Sequence, residues 1–280
     1  AGGLSMKSEV LTAYIAPEEK GRVLIVNGFT RVSGPEWWSD SIYGGIRPMS
    51  HAVPYGKGVN YIGEVYDYDS RNEWVTDDNC GWGMCHSEHM DHPTVGNTFD
   101  YPSRHGSAIA ALNVYSYESA SREAWLGGDM DLSQIAAIDY IAGAECDAPQ
   151  NLSPFKTFDA ETRRALTSYL NDGGALLVSG CYLGSDAKTT EEKAFLRETL
   201  KCEFAGTARC DSTEMVSGLG LEIPVHRGII SECYPIQSPD ILTPTDSLAF
   251  PAFAYYGGGE MGVADHAFGN GRFRAFAHGR

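Results

Sequence analysis

DAETRRALTSYLNDGGALLVSG, residues 159–180, is the stretch whose reading decides the fold. Asp159 can cap a helix from Ala160 to Asn171 by accepting a bond from an early backbone N–H. Ala165, Leu166, Tyr169 and Leu170 recur at helical spacing and give that helix one apolar face. Gly173 or Gly174 ends it. Ala175-Leu176-Leu177-Val178-Ser179-Gly180 follows as a short apolar run closed by Gly, the signature of a strand covered on both faces.

The same grammar extends outward. Upstream, Ile135 to Gly143 and Arg22 to Gly28 are buried strands of the same kind. His105 to Asn113 and Ser119 to Leu126 are expected to be helices. Downstream, Thr189 with Glu192 forms a capping box for a helix reaching Leu200, with Phe195, Leu196, Thr199 and Leu200 facing inward. After Cys202 the chain turns β-rich, with strands expected at Leu221–His226, Ala252–Tyr256, Met261–Phe268 and Arg272–Ala277. Gly257-Gly258-Gly259 and Gly269-Asn270-Gly271 serve as hairpin connections. Strand and helix in alternation require right-handed crossovers and a parallel sheet. The expectation is one α/β domain over residues 1–280: a doubly wound, mostly parallel, three-layer sheet with a β-rich C-terminal part. A long aromatic-rich insertion follows its first strand. Ligands of such sheets bind beyond the carboxyl ends of the strands, which nominates the loops beginning at Asn27, Gly143 and Ser179.

Composition narrows the function classes. The net charge is −16, and no cluster of Lys and Arg offers a phosphate-binding surface. Nucleic acid is therefore not an expected partner, and neutral or cationic ligands suit the chain better. No apolar run approaches the ~20 residues of a membrane span. Glycine makes up 32 of 280 residues, about 11% against a usual ~7%, so tight turns and shaped loops are expected. Seven cysteines, an odd number, are too few for a disulfide scaffold, and at least one thiol is expected. No Gly-x-Gly-x-x-Gly fingerprint follows the first strand and no phosphate-binding Walker loop exists, so no nucleotide cofactor is expected.

Three stretches carry a family resemblance: Val26-Asn27-Gly28-Phe29-Thr30-Arg31-Val32-Ser33-Gly34-Pro35, Gly96-Asn97-Thr98-Phe99-Asp100-Tyr101-Pro102 with His105-Gly106, and Gly173 to Gly180 continued by Tyr182-Leu183-Gly184-Ser185-Asp186. They resemble the large domain of secreted Bacteroidetes proteins that bear a xanthan-lyase label and often carry a golvesin-type carbohydrate-binding module. The similarity runs from about residue 22 to about 277. It implies a class I glutamine-amidotransferase-like or flavodoxin-like core. It also implies a secreted, periplasmic or cell-surface protein, with other modules in the parent chain, and a carbohydrate or cell-envelope compound as partner. The chain departs from that pattern at Asn79-Cys80-Gly81-Trp82-Gly83, where relatives read Asn-Pro-Gly-Phe-Gly, and at Cys181, where relatives have Ala.

Several constellations could carry chemistry. Ser33, Asp100 and His105 are the ingredients of a hydrolytic triad, and Arg31 could clamp a carboxylate. Cys181 follows a strand, where amidotransferases place a nucleophile, although Gly180 directly before it breaks the Gly-x-Cys-x-Gly elbow. Asn27, Tyr101 and Asp186 complete the expected substrate-binding set. His105-Gly106 with Cys146 offers a caspase-like alternative, against which the polar, Pro-broken segment before His105 speaks. Cys80, Cys85, His86, His89, Asp91 and His92 are metal-ligand types without a standard spacing, and no metal site is assigned to them. The aromatics from Trp37 to Trp82 could stack on sugar faces. The reading that results is an exported hydrolase-like domain acting on a glycan or cell-envelope compound. Its rival is a non-catalytic carbohydrate-binding or structural module on the same scaffold.

Overall fold

The structure, a computed structural model, describes residues 11–29, 37–39, 44–46, 101–128, 130–143, 145–147, 156–207, 215–224, 240–245, 247, 249–251, 254–255, 264–268 and 273–279. In chain order the strands are β1 (Ala13–Tyr14), β2 (Gly21–Asn27), β3 (Trp37–Ser39), β4 (Gly44–Ile46), β5 (Tyr115–Ser121), β6 (Ile135–Gly143), β7 (Ala175–Gly180), β8 (Cys202–Thr207), β9 (Met215–Gly218), β10 (Leu221–Pro224), β11 (Asp240–Pro244), β12 (Ala249–Pro251), β13 (Ala254–Tyr255), β14 (Ala264–Phe268) and β15 (Phe273–Gly279). The α-helices are α1 (Tyr101–Ala110), α2 (Arg122–Leu126), α3 (Ala160–Asn171) and α4 (Thr190–Ala194). The protein is α/β, built on a mixed sheet in the order β1-β5-β2-β6-β7-β15-β14-β12. Its middle, from β5 to β15, is parallel, and antiparallel strands flank it on both sides. No helix among the described residues is long and apolar enough to cross a membrane.

Period-two alternation sorts the strand residues onto two faces. Leu24 and Val26 of β2, Ile138 and Tyr140 of β6, and Leu176 and Val178 of β7 point to one face. There they meet Trp125 of α2 and Leu166, Tyr169 and Leu170 of α3. Ile25 and Ile141 point to the other face and pack with Tyr117 under α1, through Tyr101, Ile109 and Ala110. Helices thus lie against both faces. The connection from β2 to β5 moves one way along the sheet and the later ones move the other way.

The expected strand from Ile135 to Gly143, the strand from Ala175 to Gly180 and the helix from Ala160 to Asn171 stand as read. Asp159 caps that helix by accepting from Thr162 N at 2.7 Å. The Thr189–Glu192 capping box is present, but the helix it opens winds wider over Phe195–Thr199 before stopping at Leu200. Two expectations are corrected. Ser119 to Ser121 closes β5, and only Arg122 to Leu126 is helical, with Ser121 as its cap. Pairing with β1 on one side and β2 on the other overrode the weak helix preference of Ser119-Ala120-Ser121. The helix around His105 starts at Tyr101, because Pro102 is tolerated in a first turn, and ends at Ala110. His105 is therefore on a helix. A caspase-like arrangement, with His following a strand, does not exist here.

Gly106 lets α1 sit close to the sheet. A Cβ there would fall 2.5–2.6 Å from Tyr117 ring atoms and its hydroxyl. That ring is held by stacking on Tyr14 at 6.0 Å and by its hydroxyl 3.1 Å from Thr12 Oγ1. Ala gains ~1 kcal/mol of helix preference over Gly, while overpacking costs ~1–3 kcal/mol. Gly106→Ala is expected to destabilise the protein by up to about 2 kcal/mol. A lower Tm by circular dichroism would show it, and an unchanged or higher Tm would mean that Tyr117 yields.

Candidate functional site

Asp139 is the residue that breaks the apolar run Ile135-Ala136-Ala137-Ile138-Asp139-Tyr140-Ile141. It lies beside Ile25 of β2 and Leu177 of β7, on the α1 face. It is 4% exposed. His105, one turn into α1, reaches down to it, and His105 Nδ1 lies 2.7 Å from Asp139 Oδ2. The histidine side chain keeps 24% of its surface exposed, so the pair is dry on the carboxylate side and open on the imidazole side. Asp139 Oδ1 is buried and has no hydrogen-bond partner among the described residues. A carboxylate so placed costs several kcal/mol of desolvation unless paired, and His105 supplies the pairing. With Nδ1–H donated to Asp139, Nε2 is the ring nitrogen that carries the lone pair.

The row above Asp139, toward the carboxyl ends of the strands, runs Asn27, Ile141 and Ser179. Asn27 is 3% exposed; its Nδ2 donates to Phe29 O at 3.4 Å, and its Oδ1 has no partner among the described residues. Tyr101 at the start of α1 meets Phe29 edge-on at 5.8 Å, which ties the helix N-terminus to the end of β2. Gly28 N–H donates to Ile141 O and carries the β2–β6 contact one residue beyond the strand. On β7, Leu177 is 40% exposed and Ser179 is half-buried. Among the described residues, α1 covers this face over β5 and β2, and Leu177 of β7 stays exposed. His105 meets Asp139, and Asn27 stands one row further along β2, joined through Phe29 to Tyr101.

Cys181 and Asp186 lie in the loop after β7. Cys181 is 4% exposed and its N–H donates to Gly143 O at 2.7 Å, which fixes the loop against the end of β6. Asp186 receives Asp147 N at 3.0 Å and Thr157 N at 2.8 Å. Lys156 Nζ donates to Asp186 O at 3.3 Å and lies within 3.8 Å of Asp147, Asp186 and Glu192 carboxylate oxygens. Asp240 of β11 is fully buried and accepts Gly184 N and Ser185 N, both at 2.7 Å. Burial pushes the pKa of both Asp186 and Asp240 up, against the backbone bonds they accept. For Glu192 burial also pushes up, but the Thr189 and Lys188 amides with Lys156 and Arg163 outweigh it and hold the carboxyl below its ordinary value. A cleft enclosing about 210 Å³, open solvent included, runs between Lys156, Arg163, Asp186 and Glu192 on the α3 side. Asp186 thus pins the β6–α3 connection while lining that cleft.

Ser33, Asp100 and Arg31 lie outside the described residues, as do the Cys80–His92 cluster and most of the aromatic stretch from Trp37 to Trp82. Among the described residues, no three His, Cys, Asp or Glu side chains converge as a metal site would require. Cys146, Cys181 and Cys202 are thiols rather than half-cystines. Burial pushes the Cys202 thiol up to about 12. Asp139 and Asp240 were missed in the sequence. For Asp139 the signal was present, since an acid inside a buried strand needs a partner. Asp240 sits in the polar segment Ser238-Pro239-Asp240 and gave none. Comparison of the chain with protein-family models, with curated proteins and with solved structures gives no match.

Proposed function

We propose that this chain is a doubly wound, three-layer hydrolase-like domain that acts on a glycan or another cell-envelope compound outside the cytoplasm. His105 is its acid–base residue. The five parallel strands, numbered in chain order, lie 2-1-3-4-5, the flavodoxin-like order, whose ligand crevice opens between the first and third strands. Those strands are β2 and β6, and Asn27, His105 and Asp139 flank their junction. The observation that carries the reading is the 2.7 Å contact of His105 Nδ1 with buried Asp139. With Nδ1–H as the donor, the contact orients the ring and leaves Nε2 to take a proton from a nucleophile and return it to a leaving group.

The test is hydrolysis of chromogenic sugar esters and glycosides by the wild-type chain, His105→Gln and Asp139→Asn. Turnover lost in both variants supports the reading. Oligosaccharide binding without turnover, unaffected by either substitution, overturns it in favour of a carbohydrate-binding module.

A further inference from the structure

We propose that Ser179 is the nucleophile served by His105 and that the bond cleaved is an ester, such as an O-acyl group on a sugar. The proposal rests on the hydrolase reading above and adds the nucleophile and the substrate class.

Strand register is the first support. Asp139 pairs with Leu177, and Ser179 lies two residues further along β7. Leu176 and Val178 face the α2–α3 core, so Leu177 and Ser179 face the α1 side, as Asp139 does. The offset is one strand across, ~4.8 Å, and two residues along, ~6.6 Å, or about 8 Å between Cα atoms. Two hydrogen bonds of ~2.6–3.2 Å with an imidazole between them span roughly the same distance. Asp139 and Ser179 therefore have the spacing of the outer members of an acid–His–Ser relay, and His105 is already bonded to the acid.

Direction is the second. Helix Cβ atoms tilt toward the helix N-terminus. For α1 that end is Tyr101, packed on Phe29 beyond the carboxyl end of β2. The imidazole thus leans from Asp139 toward the row that holds Ser179. Access is the third. Leu177 is 40% exposed beside this row, so a substrate can lie over β7 on an apolar floor. Cys181, two residues on, is 4% exposed, which leaves Ser179 the more reachable of the two.

The carboxylate inventory selects the bond. Glycoside hydrolysis ordinarily needs two carboxyl groups about 5–9.5 Å apart across the sugar. Among the described residues of this face Asp139 is the carboxylate beside His105; Asp265 of β14, in the same register row, is three strands or ~14 Å away, and Glu118, paired with Leu24, belongs to the opposite face. An acid, a His and a Ser match acyl transfer; His278 of β15, the register partner of Ser179, is a second His position on this face. Ser179 Oγ adds to the acyl carbon and its proton passes to His105 Nε2. The ester C–O bond breaks and the alcohol leaves with that proton. Water, deprotonated by His105, releases the carboxylic acid and restores Ser179.

The test uses a fluorophosphonate, which a Ser–His pair phosphonylates with loss of fluoride, and mass spectrometry of the wild-type chain. The expected result is one adduct on Ser179, slowed at least about 10²-fold in His105→Gln. Ser179→Ala should lower ester kcat/KM by about 10³-fold or more, with the thermal melt retained. An adduct on any other residue overturns the proposal. So does His105-dependent ester hydrolysis that persists in Ser179→Ala, a result that leaves the hydrolase reading intact. Absence of both the adduct and hydrolysis in the wild-type chain overturns both.

Discussion

His105→Gln is expected to lower kcat/KM of the proposed hydrolysis by about 10²–10⁴-fold, the range for removing a positioned general base. That equals about 3–5 kcal/mol of transition-state stabilisation. Gln cannot exchange a proton near neutral pH, but its amide can still donate to Asp139, so the buried carboxylate keeps a partner. The fold should survive, since His105 is partly exposed and α1 is held by Ile109, Ala110 and Tyr101. A melt within ~1 kcal/mol of wild type, as for most substitutions at partly exposed positions, together with the activity loss separates chemistry from folding. Asp139→Asn tests the other half of the pair. A carboxamide that donates to Nδ1 moves the ring proton to Nε2, the wrong tautomer for a base. Asp139 is a positioning residue, so kcat should fall while KM holds. Equal activity of wild type and His105→Gln would remove His105 from the mechanism.

Lys156→Met is expected to cost about 3 kcal/mol of stability. Breaking a buried pair by removing one partner typically costs ~3–5 kcal/mol. The low end applies because the ion-pair separations here are 3.5–3.8 Å, wider than hydrogen-bond contact. The Met stem fills the same space, so the loss is electrostatic. Asp186 and Glu192, with side chains 3% and 10% exposed, are left without their shared cation.

The pH dependence has a definite sign. Glu192 is held low in the fold, so its contribution is present above its unfolded pKa and is lost as pH falls through the folded value. Asp186 is raised by burial, so its ionisation costs stability increasingly as pH rises from the unfolded pKa through the folded one. Without Lys156 both carboxyl groups protonate at higher pH, which relieves the variant as the solution is acidified. The gap in Tm between wild type and Lys156→Met should be widest near pH 7 and shrink toward pH 4. A gap independent of pH would mean that lost packing, not charge, is responsible.

How far the site was legible depended on the residue. His105 and Asn27 stood out because they sit in recognisable stretches, and Tyr101 stood beside them. Asp139 carried a local signal, an acid in the middle of Ile135–Gly143, but its partner is 34 residues away on another element. Ser179 read as the end of a strand and the start of a nominated ligand loop, with no chemical role of its own. Nothing in Val178-Ser179-Gly180 tells that its side chain shares a face with Asp139. That follows only once β6 and β7 are paired in register. Asp186 read as a ligand-binding acid; the loop bonds it accepts, from Asp147 N and Thr157 N of the β6–α3 connection, gave no signal in the sequence.

The sequence by itself determined the local elements: the apolar runs of β2, β6 and β7, the capped helix α3 and the Thr189–Glu192 box. These depend on neighbours within a few residues, through side-chain period, capping bonds and the stops that Gly imposes. Tertiary structure alone decided that Tyr115–Ser121 is a strand and that β15 lies parallel beside β7. It also decided that α1 packs on Ile25 and Ile141 and that His105 finds Asp139. Each of those is a contact between residues far apart in the chain. Its free energy exists only after the sheet order brings the partners within reach.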